Sequence, residues 1–327
     1  MTAWEGSITT REERLGYGSL TRPHPSAVTC GWEALAQEHL TQVFKSAPTV
    51  PFDDSSRIVF FSDCHRGDGS PADAFCKNEE LFLSLLDHYY RHKFTYVEVG
   101  DGDELWGNRQ LATIRDAHRR VFEFLSAFQE EARLHLVAGN HDVGQGRLGE
   151  TIKDGIRAHE GIVLRRNGNG QKLFVVHGHQ VEFLSDRLCG LSRFIVRNIW
   201  TRLQRLPLGL DRERLDDLTE SGTEKKGFVR WLKRKQRRIA QKVTARIKAW
   251  IRRQDQTTIC GHTHQASFAN HGQPPYFNTG CCIAPGYITG LEIREGKIML
   301  VKWSSTSHGT AHATRELLAP PRALRSL

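Results

Sequence analysis

The sequence predicts an α/β fold in which short buried strands alternate with amphipathic helices. Apolar runs begin at residues 57 (RIVFFSD), 94 (FTYVEVGD) and 133 (RLHLVAGNHD), and the stretches 78–92 and 111–131 between them carry apolar residues at helical spacing. This βαβαβ order is typical of parallel strands that are buried on both faces beneath helices. Further strands are predicted at GIVLRR, KLFVVHGH and TTICGHTH, followed by a hairpin, GLEIREGKIMLVKW, that turns at Glu295-Gly296.

Between residues 179 and 257 the strand pattern stops and a helical pattern replaces it. Apolar residues recur at helical spacing in two stretches, which Pro207 and Gly209 separate. They are Leu188, Leu191, Ile195, Ile199 and Leu203 in the first stretch, and Ile239, Val243, Ile247 and Ile251 in the second. The pattern predicts a helical insertion between two strands of the core.

These patterns divide the chain into one interrupted domain with two flanking segments. We expect the domain to span 57–305, with the basic helical insertion at 187–254 as a candidate lid. Residues 1–56 are expected to form an extension wrapped on the surface, with a short helix at 32–44. Residues 306–327 are expected to form a loose tail.

Composition indicates a soluble globular protein. The chain has 327 residues, of which 25% are charged and 39% hydrophobic. No apolar run approaches the roughly 20 residues that a membrane span needs, and the N-terminus lacks the apolar core of a secretory signal. The seven cysteines form no CxxC pair, which is typical of reduced thiols. We therefore expect a cytoplasmic location, with peripheral contact at the inner face of the membrane as a further expectation.

The positive charge is concentrated in one segment. Residues 187–253 contain 20 Lys and Arg against 6 Asp and Glu, although the whole chain has 46 against 37. The rest of the chain is therefore slightly acidic. This asymmetry predicts a local anionic partner, such as an anionic membrane surface at 187–253, rather than general binding of nucleic acid.

Polar residues with metal-binding chemistry follow five of the predicted strands. In open α/β sheets, ligands bind at the carboxyl ends of the strands. The residues are Asp63 and His65, then Asp101, then Asn140 and His141, then His177 and His179, and finally His262 and His264. A lone histidine of this kind is more often a structural core residue, but five consecutive strand ends favour a shared site.

The donor types predict which metals would bind. Oxygen and nitrogen donors without thiolates suit Mn, Fe, Zn or Co and disfavour a structural zinc site built from cysteines. The set is too large for a single ion. We expect two divalent ions, with Mn²⁺ as the first choice, about 3.5–4 Å apart around a bridging carboxylate.

The motifs DxH, GDxxE, GNHD, HGH and GHTH, in this order and at strand ends, resemble those of the calcineurin-like metallophosphoesterases. The resemblance implies a two-layer β-sandwich flanked by α-helices, with a dinuclear site at the strand ends. One ion would be held by Asp63, His65 and His264, the other by Asn140, His177 and His262, with Asp101 as the bridge. It also implies that His141 contacts the substrate and that Glu104 orients His141, although the family more often has Asp at that position.

Several neighbouring residues have two candidate roles. Asp103 is an alternative bridge to Asp101. Arg66 could contact phosphate or form a surface ion pair, and His179 could contact substrate or line the wall of the site. Asn140 could touch the substrate as well as metal, and Asp142 is expected to stabilise its loop.

The resulting functional prediction is hydrolysis of a phosphate ester or pyrophosphate by a metal-bridging hydroxide. GDGDELW and the placement of the insertion are similar to UDP-diacylglucosamine pyrophosphatases, which implies a phosphorylated small-molecule or lipid-like substrate, nucleotide-linked or otherwise. One alternative is a phosphomonoesterase acting on serine/threonine phosphoproteins or small molecules. Another is a non-enzymatic scaffold that retains the fold, although buried Asp and His without metal would be costly. Nucleic acid is not expected, because few aromatic residues are available near the site for base stacking.

Overall fold

Two β-sheets packed face to face form the centre of the molecule. The computed structural model describes residues 25–108, 110–142, 151–153, 156–182, 223–305 and 313–327. The helices in these ranges are α1 (Pro25–Ser46), α2 (Glu79–Arg91), α3 (Leu111–Ala117), α4 (Arg119–Glu130) and α5 (Thr223–Gln254).

The strands confirm the predicted alternation of strands and helices. In chain order they are β1 (Thr49–Phe52), β2 (Ile58–Phe61), β3 (Thr95–Val99), β4 (Leu134–Val137), β5 (Thr151–Lys153), β6 (Ile156–His159), β7 (Gly161–Arg166), β8 (Lys172–Val176), β9 (Thr257–Cys260), β10 (Tyr276–Asn278), β11 (Tyr287–Arg294), β12 (Lys297–Ser305), β13 (Ala313–Leu317) and β14 (Arg322–Ala323). One sheet has five strands in the order β1-β7-β8-β9-β10. The other has nine, in the order β13-β12-β11-β2-β3-β4-β6-β5, with β14 paired to β12.

Three apolar clusters hold the layers together. Between the sheets, side chains such as Phe60 and Val97 of the nine-stranded sheet pack against Val175 and Phe277 of the other. Helices α2 and α4 cover the outer face of the nine-stranded sheet, and α1 and α5 cover that of the five-stranded sheet. Full burial of each large apolar side chain contributes about 1.5–3 kcal/mol, so the strands that carry the polar motifs are firmly held. The layers form the β-sandwich flanked by α-helices that the sequence predicts.

The helix expected at 111–131 is two helices, because His118 interrupts it. His118 has φ −115° and ψ 37°, outside the helical region. Its buried ring lies between two carboxylates, with Nε2 at 2.8 Å from Asp73 Oδ2 and Nδ1 at 3.2 Å from Glu79 Oε1. The tertiary pairing of one side chain therefore overrides a helical pattern that continues on both sides of it.

The hairpin turn is where the sequence predicts it. Strands β11 and β12 are joined by Glu295 and Gly296, which both have positive φ, 53° and 66°. Positive φ at both central residues is the condition for a two-residue type I′ turn, and glycine meets it without steric cost.

Both segments expected to lie outside the domain contribute strands to it. Within the predicted extension, Thr49–Phe52 pairs in parallel with β7 at the edge of the five-stranded sheet. Helix α1 is longer than the predicted 32–44 and buries Leu40 and Val43 in the core. Within the predicted tail, Ala313–Leu317 pairs with β12. These segments have little periodicity of their own, because each adds only an edge strand or one buried helix face.

The second half of the predicted insertion is the helix α5. Val243, Ile247 and Ile251 are buried as the apolar spacing predicts, together with Trp250. Ile239 belongs to the predicted apolar face of this helix but is 44% exposed. The first half of the insertion, with its expected stripe from Leu188 to Leu203, lies outside the described residues. No helix in the described part of the chain is long and apolar enough to span a membrane.

Candidate metal centre

The carboxyl ends of strands from both sheets meet at one edge of the sandwich. Strands β2, β3 and β4 are parallel neighbours in one sheet, and β8 and β9 are parallel neighbours in the other. The loops that follow them remain hydrogen-bonded, since Asp63 N donates to Gly100 O at 3.0 Å and Gly261 N donates to His177 O at 3.0 Å. Asp63 Oδ2 accepts from His262 N at 2.9 Å, which joins the two sheets at this edge.

Five of the seven predicted metal ligands have a left-handed backbone. Their φ values are 54° for Asp63, 47° for His65, 52° for Asp101, 67° for His262 and 55° for His264. Non-glycine residues rarely adopt positive φ, and such strain of about 1–3 kcal/mol each concentrates at functional sites. The conformation turns each side chain out of its strand direction at the point where the strand ends.

Two glycines allow the loops to approach each other. A Cβ atom on Gly100 would lie 2.4 Å from Nδ1 of His177, and one on Gly139 would lie 2.1 Å from Oδ1 of Asp101. Real Cβ atoms do not come so close to other heavy atoms, so any side chain at either position would displace a candidate ligand. The glycines of the GD and GN motifs are therefore needed for close packing around the site.

Asp63, His65 and His264 form the first cluster. Asp63 Oδ1 lies 3.2 Å from His264 Nε2, and His264 Nε2 lies 3.3 Å from His65 Nε2. Nitrogen and oxygen ligands held at about 2.0–2.2 Å from one ion are roughly 3–3.5 Å from each other. These spacings fit a single divalent ion.

Asp101, His177 and His262 form the second cluster, with one ligand atom from each within 4.8 Å of the others. His177 Nδ1 donates to Val99 O at 2.7 Å, so Nε2 is the ring nitrogen left to bind a metal ion. This Nε2 lies 3.2 Å from Asp101 Oδ2. The same carboxylate oxygen lies 3.8 Å from His65 Nε2 of the first cluster. Asp101 is therefore the carboxylate placed between the two clusters.

The buried polar atoms that make no hydrogen bond within the described structure include three from the predicted ligands: Asp63 Oδ1, Asn140 Oδ1 and His177 Nε2. Buried polar atoms are normally satisfied, and each orphan costs about 1–3 kcal/mol. The two oxygens offer lone pairs, and Nε2 of His177 offers one when it carries no proton. They fit divalent cations, which would accept those lone pairs.

Each carboxylate of the two clusters changes the pKa of the histidine beside it. Burial raises the pKa of Asp63, but the neighbouring His264 has the opposite effect, and the net result is a pKa lowered to about 2. Burial lowers the pKa of His264 and of His177, but Asp63 raises the first to about 10 and Asp101 raises the second to about 9. The carboxylates thus create a site that favours positive charge, which bound metal ions would supply.

Beside the clusters, His141 is held by a carboxylate and an aromatic ring. Its Nδ1 lies 3.0 Å from Glu104 Oε1, and its ring stacks on Trp106 at 4.2 Å between centroids and 21° between planes. Glu104 Oε2 also lies 3.0 Å from Nδ1 of His65. Burial lowers the pKa of His141, but Asp101 and Glu104 raise it overall. Glu104 thus contacts both His141 and the candidate metal ligand His65. Its side chain, which is one methylene longer than that of Asp, permits both contacts.

Arg66 does not face the mouth of the site, contrary to both predicted roles. Its side chain is fully buried, with Nε donating to Asp103 Oδ1 at 2.7 Å and both terminal nitrogens donating to Glu98 at 2.8 and 2.9 Å. Asp103 is thereby committed to Arg66 rather than to the ligand clusters. Asp142 stabilises its loop as expected, because it accepts from the backbone N–H groups of Asp103 and Gly139.

His179 is buried next to the clusters without joining either of them. Its ring centroid lies 5.5 Å from that of His177 and 6.4 Å from that of His262. Burial and these two neighbours lower its pKa well below the usual value, so the ring is neutral. The geometry favours the wall position over the predicted contact with substrate.

Sequence reasoning assigned no role to Trp106 or Glu182. Trp106 stacks on His141, and its Nε1 donates to Asn140 O at 2.6 Å. Glu182 Oε2 lies 3.4 Å from His262 Nε2. The signal for Trp106 was its place two residues after Glu104 in GDGDELW. Glu182 lies three residues beyond the HGH motif, where no pattern marks it.

A further group of potential ligands, Asp73, Cys76 and His118, does not fit a metal. Asp73 Oδ2 accepts from the backbone N–H groups of Gly67 and Gly69, each at 3.0 Å, and Oδ1 accepts from that of Phe75 at 3.0 Å. The carboxylate also pairs with the ring of His118 and is hydrogen-bonded to Cys76. The carboxylate lone pairs are therefore used, and the group ties the loop after β2 to the junction of α3 and α4.

Solved structures and a protein-family model are similar to this chain. Among solved structures, the chain is similar to Vacuolar Protein Sorting 29 from Cryptosporidium parvum, with 14% identity, a TM-score of 0.38, and coverage of 82% of this chain and 100% of that one. It is also similar to Vps29 of Chaetomium thermophilum, with 12% identity, a TM-score of 0.36, and coverage of 81% and 97%. No curated protein matches the sequence. The model of the calcineurin-like phosphoesterase family matches residues 56–266, more than half of the chain, and the chain therefore belongs to that family.

Proposed function

We propose that this protein is a metal-dependent hydrolase of phosphate esters or pyrophosphates. The observation that carries the proposal is the convergence of two Asp/His clusters on Asp101, with buried polar atoms of Asp63, Asn140 and His177 left without a hydrogen bond. Divalent ions bound there would neutralise phosphate oxygens and lower the pKa of water, which is the chemistry that this class of hydrolysis needs.

The residues beside the clusters supply the proton chemistry. Glu104 accepts from Nδ1 of His141 and so fixes the tautomer and the orientation of the ring. Despite burial, Asp101 and Glu104 also raise the pKa of His141, which favours the imidazolium form. That form carries a second proton, on Nε2, which can bind a phosphate oxygen or pass to the departing oxygen. The face of Trp106 covers one side of the imidazole and excludes water from it.

His141→Ala is expected to lower turnover by roughly 10²–10⁴-fold while metal remains bound, because the ring assists proton transfer without belonging to the proposed ligand set. The measurement is hydrolysis of an aryl phosphate diester and monoester with Mn²⁺, alongside metal content by atomic emission. His271→Ala is the matched control, since His271 is an exposed histidine outside the site. Loss of metal together with activity in the His141 variant would contradict this division of roles.

We further propose that the substrate is a lipid-like or nucleotide-linked anion that approaches along α5. What supports this is the contact of α5 with the site and the charge of its exposed face. Ile247 lies beside Gly178, and Arg246 Nη1 donates to Val181 O at 2.9 Å. Gly178 and Val181 both belong to the loop that follows His177. The exposed basic side chains of the same helix include Arg234, Arg237, Arg238 and Lys242.

Replacing these four basic residues with glutamine is expected to weaken binding to vesicles that contain anionic lipids, by roughly 1 kcal/mol for each removed charge. Hydrolysis of a small aryl phosphate should be unchanged, because none of the four lies in the metal centre. Vesicle sedimentation and a colorimetric assay measure the two properties. The control variant carries glutamine at four exposed basic positions outside α5: Arg91, Arg120, Arg294 and Lys297. Equal weakening in both variants would remove the specific role of α5.

A substrate panel separates the proposed function from its alternatives. Purified protein loaded with Mn²⁺, and in parallel with Zn²⁺, Co²⁺ or Fe²⁺, is tested on nucleotide-linked glycolipids, phosphopeptides and aryl phosphates. Preference for a pyrophosphate-linked lipid supports the proposal, and preference for phosphopeptides or simple monoesters supports a phosphomonoesterase. Absence of hydrolysis with every metal would favour the scaffold.

A further inference from the structure

Three histidines of the proposed ligand set are each held by an outer partner through one ring nitrogen. Nδ1 of His65 contacts Glu104, and Nδ1 of His177 donates to the carbonyl of Val99. For His262, the partner is Glu182, whose Oε2 lies 3.4 Å from Nε2. A metal-binding histidine generally donates its other ring N–H to a carboxylate or carbonyl, which fixes both the tautomer and the ring orientation.

Glu182 is not one of the candidate metal ligands. The second cluster, with ligand atoms within 4.8 Å of one another, consists of Asp101, His177 and His262 without Glu182. Its carboxylate is partly exposed, with 21% of the side chain accessible. This is the place of a residue that acts through His262 rather than on a metal ion.

The insertion helix holds the backbone beside Glu182. Glu182 follows a short 3-10 turn, His179–Val181, and its N–H donates to His179 O at 2.8 Å. Arg246 of α5 donates to Val181 O at 2.9 Å, and the carbonyl of Arg246 accepts from Gln37 Nε2 of α1 at 2.8 Å. Two helices on the outer face of the five-stranded sheet thus fix the peptide that presents the carboxylate.

We propose that Glu182 is the positioning residue of the second metal position. It accepts the Nε2–H of His262 and so leaves Nδ1 of that ring for the ion. The inference deepens the proposed function, because it rests on a metal centre formed by the two clusters. It also ties the insertion to that centre, since α5 anchors the loop that carries Glu182.

The test measures metal binding rather than hydrolysis. Calorimetric titration of the metal-free full-length chain with Mn²⁺ is expected to resolve two sites in the wild type. Glu182→Ala should weaken one of them by 10–100-fold and spare the other, the typical effect of losing an outer partner. Glu182→Gln retains an acceptor oxygen and should recover part of the loss. Arg246→Met should give a smaller weakening of the same site, because it loosens the loop without removing the carboxylate.

Glu160→Ala is the matched control, because Glu160 Oε1 also pairs with a histidine, His39 Nε2 at 3.1 Å, outside the metal centre. Unchanged constants in Glu182→Ala, with two sites in the wild type, would overturn this inference alone. A Gln variant as weak as the Ala variant would overturn it in favour of Glu182 as a direct ligand. Wild-type protein that binds no Mn²⁺ would instead defeat the proposed function.

Discussion

Asp101→Asn is expected to reduce phosphate ester hydrolysis to near background and to lower the metal content. The reason is position: one oxygen of Asp101 lies 3.2 Å from Nε2 of His177 and 3.8 Å from Nε2 of His65, between the two clusters. Because the loss of an outer partner alone typically costs 10–100-fold, loss of the shared carboxylate should cost more than about 100-fold in metal affinity or activity.

The asparagine variant should still fold. Asp101 Oδ1 accepts from the backbone N–H of His141 at 2.8 Å, and an amide oxygen can accept that bond equally well. Metal content by atomic emission, turnover of an aryl phosphate, and a thermal melt are measured together. Asp116→Asn, at an exposed position on α3, serves as the control. Full activity in the Asp101 variant would mean that the clusters do not act as one centre.

Arg66→Met is expected to destabilise the fold by about 3–5 kcal/mol, the largest effect on stability that we predict. It would leave the buried carboxylates of Glu98 and Asp103 without their counter-charge, and an uncompensated buried charge is far more costly than a lost surface pair. Urea unfolding measures the change. Arg66→Lys keeps the charge but cannot donate in a fork to both partners, so an intermediate loss is expected.

The control for this prediction is Arg91→Met. Arg91 pairs with Asp87 at 2.9 Å on the surface, with 74% of its side chain exposed. Exposed pairs of this kind contribute about 0–1 kcal/mol. If the two methionine variants had equal stability, the buried triad of Glu98, Arg66 and Asp103 would not stabilise the loops beneath the site.

The sequence predicted the core strands and located the candidate site residues at their ends, for one physical reason. Buried strands of an α/β fold are short apolar runs, and the change from apolar to polar marks the carboxyl end of each run. IVFF followed by Asp63 and His65, and TTIC followed by His262 and His264, carry that signal locally. Whether those side chains hold metal remains a prediction that the metal-binding experiments test.

The predictions that failed concern contacts between distant parts of the chain. Arg66 follows a motif residue and was expected near the site mouth, but its partners Glu98 and Asp103 lie 32 and 37 positions away. His118 stands within a helical pattern, but Asp73, 45 positions earlier, holds its ring. β1 pairs with β7, more than a hundred positions later in the chain. No local periodicity encodes such pairings.

By itself, the sequence determined the fold class, the order of the strands and which side chains stand at their ends, because these depend on hydrophobic periodicity along the chain. Only the tertiary structure decided that Asp101 rather than Asp103 lies between the clusters, that Glu104 contacts two histidines, and that Glu182 reaches His262. Those outcomes depend on which loops pack together and on the left-handed turns that aim each side chain. Such packing is fixed by contacts across two sheets, which no single stretch of sequence contains.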